Sequence, residues 1–324
     1  MNEFDLIDRF FRSKGTIRDE ILIGIGDDAA VIAPSDSALV LCSDTLVSGV
    51  HFADDERGSD VGYKCLGVNL SDLAAMGAEP VFALLNLTLP SFNDEWLDDF
   101  VKGFNELACR FNVSLIGGDT THGPLSVTVQ AGGRVPVELP GQISLLRSNA
   151  DVGDEIYIGG PVGDGFLGLE VASGRYDSDS TDADYLLNRL RRPLPQVELG
   201  LAVRSIAASA IDISDGLIAD LGHILKSSGC LGASLDLNEN WFSKSARRYL
   251  DQGGDPVKLI SGGDDYILCL TVRPENVDKF HQACKRIDAD VRRIGRVVDS
   301  SGIRITDDND RLIDASRCGY RHFD

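Results

Sequence analysis

The chain has 324 residues and carries 51 acidic against 31 basic side chains, a formal net charge of −20. That balance excludes the basic footprint needed to hold nucleic acid or an anionic membrane surface, while 43% hydrophobic and 25% charged residues are ordinary for a globular chain long enough for two domains. The cysteines, at 42, 65, 109, 230, 269, 284 and 318, show no C-x-x-C spacing, which argues against a zinc knuckle and for reduced core thiols in the cytoplasm.

From the start, "MNEFDLIDRFF" predicts an amphipathic helix with Phe4, Ile7 and Phe11 on one face, without the apolar core of a signal peptide. No 18-residue apolar run follows, so no membrane span is expected. "GIGDDA" (24–29) sets two carboxylates side by side, Asp27 and Asp28. At about 4 Å and an effective dielectric near 20, such like charges cost on the order of 4 kcal/mol, so a compensating charge is expected. "SALVLCSD" and "VFALLNLTL" predict strands, and "SDVGYKCLGVNLSDLAAMG" between them a helix beginning at a Ser or Asp cap. "NDEWLDDFVKGFNELACRF" predicts a second helix capped by Asn93, with acidic residues in the first turn where the helix dipole favours them. "VSLIG" and "LSVTVQAGGRV" are further strands.

A boundary is expected within "VELPGQISLLRSNADVGD", after which "EIYIGG" begins a new strand. The second half repeats the α/β mixture, with helices near 196–208, 216–227 and 275–288 and strands near 257–260, 266–272 and 291–297. "RYDSDSTDADY" (175–185) reads as a solvated acidic loop. "GGPVGDGFLG" (159–168) has the look of a glycine-rich phosphate loop, and its structural reading, a tight helix entry, is preferred.

Six aspartate-bearing turns punctuate these elements: "GIGDDA", "CSDT", "NLSD", "IGGDT", "DISDG" and "SGGDDY". Asp44, Asp119 and Asp212 are expected at or just past strand ends, and Asp72 within a helix. Turn and cap chemistry explains any one of them. Six in one chain, with few histidine or cysteine partners, suit a hard cation such as Mg²⁺, which keeps waters and shares phosphate oxygens. There is no G-x-x-x-x-G-K-[ST] and no H-R-D with D-F-G. The five histidines, 51, 122, 223, 281 and 322, form no H-E-x-x-H or evident triad.

Taken in order, "GIGDDAAVI", "SDTLVSGVHF", "NLSDLAAMGAEP", "LIGGDTTHGPLSVTV", "DISDGLIADLGHI" and "SGGDDYIL" resemble the thiamine-monophosphate kinase family, down to the terminal "GYRHF". The wider superfamily includes aminoimidazole ribonucleotide synthetase, selenophosphate synthetase and a hydrogenase maturation factor. The resemblance implies an α/β (α+β type) fold of two domains. Residues 1–150 would bind ATP and magnesium and pair their sheet across a homodimer into a shared β-barrel, and an α/β domain over 151–324 would complete the active site. It implies phosphorylation of thiamine monophosphate by ATP to thiamine diphosphate, by direct in-line transfer assisted by several Mg²⁺ ions. Matched position by position, Asp28, Ser43, Asp44, Asp72, Asp119, Asp212 and Asp215 fall on magnesium positions. Gly118, Asp119, Arg147 and Ser214 fall on nucleotide positions, and His51, Asp264 and Tyr320 on substrate positions.

Two residues depart from the family pattern. Cys42 stands where a serine commonly supports a metal, and Asp264 where a glutamate is usual, one methylene shorter in reach. The chemistry suits this residue set, because the acceptor is a phosphate monoester whose oxygen is already ionised near neutral pH. No side-chain nucleophile or general base is then required. Two other readings are a superfamily relative with another acceptor, such as selenide or a formylglycinamidine nucleotide, and a non-catalytic acidic metal-binding protein. For the latter the nearest calcium loop, "DDNDRLIDASRC", lacks the central Gly and the Glu at position twelve.

Overall fold

The computed structural model describes residues 3–12, 15–25, 29–33, 35–137 and 144–314. Contacts divide the chain into one unit of residues 1–73 and 78–143 and another of 74–77 and 144–324.

The first unit contains α1 (Glu3–Phe10), β1 (Ile21–Ile23), β2 (Val31–Ile32), β3 (Ser37–Val47), most of α2 (Gly58–Ala75), β4 (Glu79–Leu89), α3 (Asp94–Arg110), β5 (Ser114–His122) and β6 (Ser126–Pro136). Its sheet runs β3-β6-β4-β5, antiparallel except for the parallel β4–β5 pair. In α1 the fully buried side chains are Leu6 and Phe10, with Phe11 nearly so and Ile7 only half-buried, so the core-facing stripe is rotated from the Ile7 side predicted. Phe4 lies outside the side chains described.

The helix α2 has no exposed residue along its length, and it meets β3 at Asn69 and α3 at Ser59. Gly62 makes the second contact possible: a Cβ there would stand 2.1 Å from the Phe100 carbonyl oxygen of α3. Asp99 of α3 accepts the Ser59 N–H, satisfying one of the free amides in the first turn of α2. Asn93 caps α3 as the sequence predicts, its side chain accepting the Trp96 N–H at 3.1 Å.

β3 runs through to Val47 and β5 to His122, so Asp44 and Asp119 lie inside strands and not at their ends. The period-two alternation therefore decides which face each of them occupies.

The second unit contains β7 (Glu155–Ile158), α4 (Asp164–Ala172), α5 (Ser180–Arg191), α6 (Val197–Val203), β8 (Ser209–Asp212), α7 (Leu217–Ser227), β9 (Gly232–Asp236), α8 (Lys244–Asp251), α9 (Pro256–Ser261), β10 (Leu268–Val272), α10 (Val277–Arg286), β11 (Arg292–Val298), β12 (Gly302–Thr306) and β13 (Leu312–Ile313). Its sheet runs β13-β12-β9-β11-β7-β10-β8, antiparallel except for β12–β9. The core is built on Ile156 and Ile158 of β7, Leu221 and Ile224 of α7, and the fully buried Trp241.

Two predicted segments change class. Residues 257–260, expected as a strand, are helical: Asp255 accepts the Val257 N–H and Pro256 opens α9, a cap followed by a proline in the first turn. The acidic run 175–185 enters α5, because Asp179 caps it and Asp182 is buried with Ser245 and Arg248 as partners. A carboxylate that finds a buried partner no longer behaves as part of a solvated loop. Among the described residues, no helix is long and apolar enough to cross a membrane.

Candidate active site

In the first unit, β3 presents Cys42, Asp44 and Leu46 toward α2 and leaves Leu39, Leu41, Ser43 and Thr45 exposed on the other face. The Cys42 Sγ donates to the Asn69 carbonyl at 3.3 Å, tying the strand to α2 one turn before Asp72. Asp72 neighbours the Asp44 carboxyl across this junction. Burial pushes Asp44 above the usual carboxylate range, while Asp72 and the nearby His51 imidazole pull it back. Burial also pushes the Cys42 thiol up, with the charges of Asp72 and Asp44 adding to it, so the sulfur stays protonated.

His51 lies on the loop after β3. Its Nδ1 accepts the Val47 N–H at 3.0 Å, which leaves the ring proton on Nε2. The buried Lys64 donates to the His51 carbonyl at 3.4 Å and fixes the loop from below.

The strand registers sort the remaining predicted residues. Asp44, Val129, Leu85 and Gly118 lie in one row across the sheet, on the face covered by α2. Gly118 has φ +145°, and a Cβ there would stand 1.8 Å from the Leu85 carbonyl oxygen, so the close approach of β5 to β4 admits only glycine. Asp119 pairs with Asn86, in the row of Thr128 and Thr45, and is exposed on the opposite face together with Ser43. The structure thus brings Asp44, Asp72 and His51 together and places Ser43 and Asp119 on the other face. Asp28 lies outside the described residues.

In the second unit, β8 ends in the buried Asp212, and "ISDG" leads from it into α7. Asp220, one turn inside α7, gathers this loop: its Oδ2 accepts the N–H groups of Ser214, Asp215 and Gly216 at 3.0, 3.0 and 3.1 Å. Burial, then the negative charges of Asp212 and Asp215, push the Asp220 carboxyl up to about 7. The "SGGDDY" loop is laid directly on this one. Asp264 donates its N–H to the Ser214 carbonyl at 2.9 Å and Tyr266 to that of Ile213 at 2.8 Å, with both residues in the left-handed region at φ +68° and +50°. Backbone held in that region by its surroundings is a recurrent feature of functional loops.

Between them the buried Asp265 turns inward and accepts the Gly163 and Gly165 N–H groups at 2.7 and 2.9 Å. The amides at the "GGPVGDGFLG" helix entry are thereby occupied by a protein carboxylate, which supports the structural reading of that loop. Asp212, Ser214, Asp215 and Asp264 form one local assembly. Arg147 stands apart from it: its carbonyl accepts from Ser228 at 3.1 Å, at the far end of α7, and its side chain is exposed. Tyr320 lies outside the described residues. Asp220 and Asp265 were not singled out by sequence. An acidic residue in the first turn of a helix and an Asp-Asp doublet were visible, but which amides they meet depends on the folded loops.

Among the described residues no three His, Cys, Asp or Glu side chains gather closely enough to make a self-sufficient metal site. The donor set nevertheless fits magnesium, which takes one or two carboxylates and completes its shell with water and phosphate oxygens. The half-buried Asp44 and Asp72 are of that kind.

Residues 26–135 match the family described as AIR synthase related protein, N-terminal domain, and residues 151–308 match AIR synthase related protein, C-terminal domain. The thiamine-monophosphate kinase of Salmonella typhimurium is 42% identical over 324 residues, covering 99% of this chain and 98% of its own. The crystal structure of thiamine-monophosphate kinase from Stenotrophomonas maltophilia superposes with a TM-score of 0.82 at 42% identity, over 89% of this chain and 92% of that one. AaThiL, solved in complex with AMPPCP and TMP, superposes with a TM-score of 0.78 at 26% identity, over 99% and 96% of the two chains.

Proposed function

The chain belongs to the AIR synthase related family and, within it, to the thiamine-monophosphate kinases, and from that membership we propose that it transfers the γ-phosphoryl group of ATP to the phosphate of thiamine monophosphate, giving ADP and thiamine diphosphate. The observation that carries this reading is the half-buried Asp44, with Asp72 as its neighbour, in a chain that matches its relatives over nearly its full length.

In this reading Asp28, Ser43, Asp44, Asp72 and Asp119 of the first unit and Asp212 and Asp215 of the second hold magnesium. The division of Asp44 and Asp72 from Ser43 and Asp119 over two sheet faces supports more than one ion. Magnesium held by these carboxylates would supply positive charge to offset that of the two phosphate chains. Gly118, Asp119, Arg147 and Ser214 contact the nucleotide, and His51, Asp264 and Tyr320 the acceptor. His51 is held in place on its loop by the Val47 N–H, which its Nδ1 accepts. Transfer is direct, without a covalent enzyme intermediate. The acceptor oxygen is ionised near neutral pH, and the sulfur closest to the carboxylates, Cys42, is held as a thiol and not a thiolate.

We place the enzyme in the cytoplasm as a homodimer. Support for the dimer comes from β3, an eleven-residue edge strand whose outer face exposes Leu39 and Leu41 at 60% and 65%.

A coupled assay of ADP release with Mg-ATP and thiamine monophosphate tests the site. Asp72→Asn should lower turnover by about 100-fold or more while the circular dichroism spectrum stays unchanged, because one metal-facing charge is lost. Turnover near the unmodified level at saturating Mg²⁺ would remove Asp72 from the metal set.

A further inference from the structure

Asp220 contacts the loop that carries three of the proposed ligands without being one of them. The residue is 3% exposed, and a single carboxylate oxygen accepts three consecutive backbone N–H groups, those of Ser214, Asp215 and Gly216. Three successive amides converging on one point form a nest, which in many folds is left open for a phosphate. Here the protein fills the nest itself. With the amides turned inward, the side chains of Ser214 and Asp215 stand half-exposed at the surface of the unit, and the carbonyls of Ile213 and Ser214 receive Tyr266 and Asp264.

We infer that Asp220 is a positioning residue: by clamping the 214–216 amides it aims Asp215 and Ser214 at the magnesium nucleotide and keeps phosphate off the amides at the start of α7. Its contribution is that of an oxygen acceptor at a fixed place, acting through Asp212, Ser214 and Asp215. Supporting groups of this kind are worth about 10–100-fold in metal affinity. The inference rests on the assignment of Asp212, Ser214 and Asp215 to magnesium and nucleotide.

The test is calorimetric titration of the full chain with AMPPCP at several fixed Mg²⁺ concentrations, for the unmodified protein, Asp220→Asn, Asp220→Ala and Asp215→Asn. Asparagine keeps an oxygen able to accept the same amides, so Asp220→Asn should bind within about threefold of the unmodified chain. Asp220→Ala and Asp215→Asn should lose about tenfold or more, mainly as a higher Mg²⁺ requirement. If Asp220→Asn loses as much as Asp215→Asn, the charge itself is needed, Asp220 is a direct ligand, and the inference is overturned. An Asp220→Ala that melts earlier but binds with unchanged Mg²⁺ dependence would show a purely structural role and overturn it too. Should Asp220→Ala not fold, the asparagine variant alone decides. Phosphoryl transfer to thiamine monophosphate is measured on the same unmodified protein. Intact Mg-dependent binding without transfer would count against the proposed function and not against Asp220.

Discussion

Asp265 shows how a buried carboxylate can organise a loop and leave a signature in the stability of the whole chain. Desolvation pushes it up to about 7 and the neighbouring Asp164 adds to the shift, while its hydrogen bonds to Gly163 and Gly165 and the charge of Arg189 pull it down. In the unfolded chain it ionises near the ordinary 3.8. The folded state therefore holds the proton more tightly, and its stabilising effect is complete below that ordinary value and lost as pH rises through about 7. Thermal midpoints measured from pH 4 to 8 should fall less steeply in Asp265→Asn than in the unmodified chain; parallel slopes would show that another group sets the trend. At this scale the sequence displayed the residues but not their partners. Asp44 and Asp72 were legible as members of acidic turns, yet what makes them neighbours is the meeting of β3 and α2, where Cys42 reaches Asn69. Ser43 and Asp119 were legible as polar residues of the same motifs, whereas their face depended on how far the strands continue.

At the scale of elements, the long amphipathic helices and apolar strands could be read directly, since hydrophobic spacing and the Asn93 cap are local signals. The failures have local causes as well. "VKLI" has the composition of a strand, but the Asp255–Pro256 pair before it imposes a helix start. The acidic run before Tyr185 looked solvated because nothing near it in sequence announces Arg248, 66 residues away. Close helix packing was invisible for a different reason: a glycine in a helix reads as a weak point until its neighbour is known. Gly62→Ala should destabilise the chain by about 1–3 kcal/mol or more, because α2 and α3 must separate to admit the methyl group. Urea denaturation followed by circular dichroism measures this, and an unchanged midpoint would mean that the helices shift apart at little cost.

For the whole molecule, net charge and chain length set limits that the structure respects: an acidic protein of two α/β units. In the proposed chemistry a chain with this charge would bind polyanions through cations held by its carboxylates, and that joins its composition to the proposed function. The proposed dimer comes from resemblance and from the exposed apolar face of β3, since a sheet face acquires such a meaning only from a second copy. Leu41→Asp should convert a dimer to a monomer in sedimentation velocity runs, and persistence of the dimer would move the interface away from β3. The proposed function turns on the identity of the acceptor. The most direct measurement follows the γ-³²P label of Mg-ATP in the presence of thiamine monophosphate, selenide or a formylglycinamidine nucleotide, with and without Mg²⁺. The label should appear in thiamine diphosphate alone, and only with magnesium. Label released to another acceptor, or none transferred to thiamine monophosphate, would contradict the account.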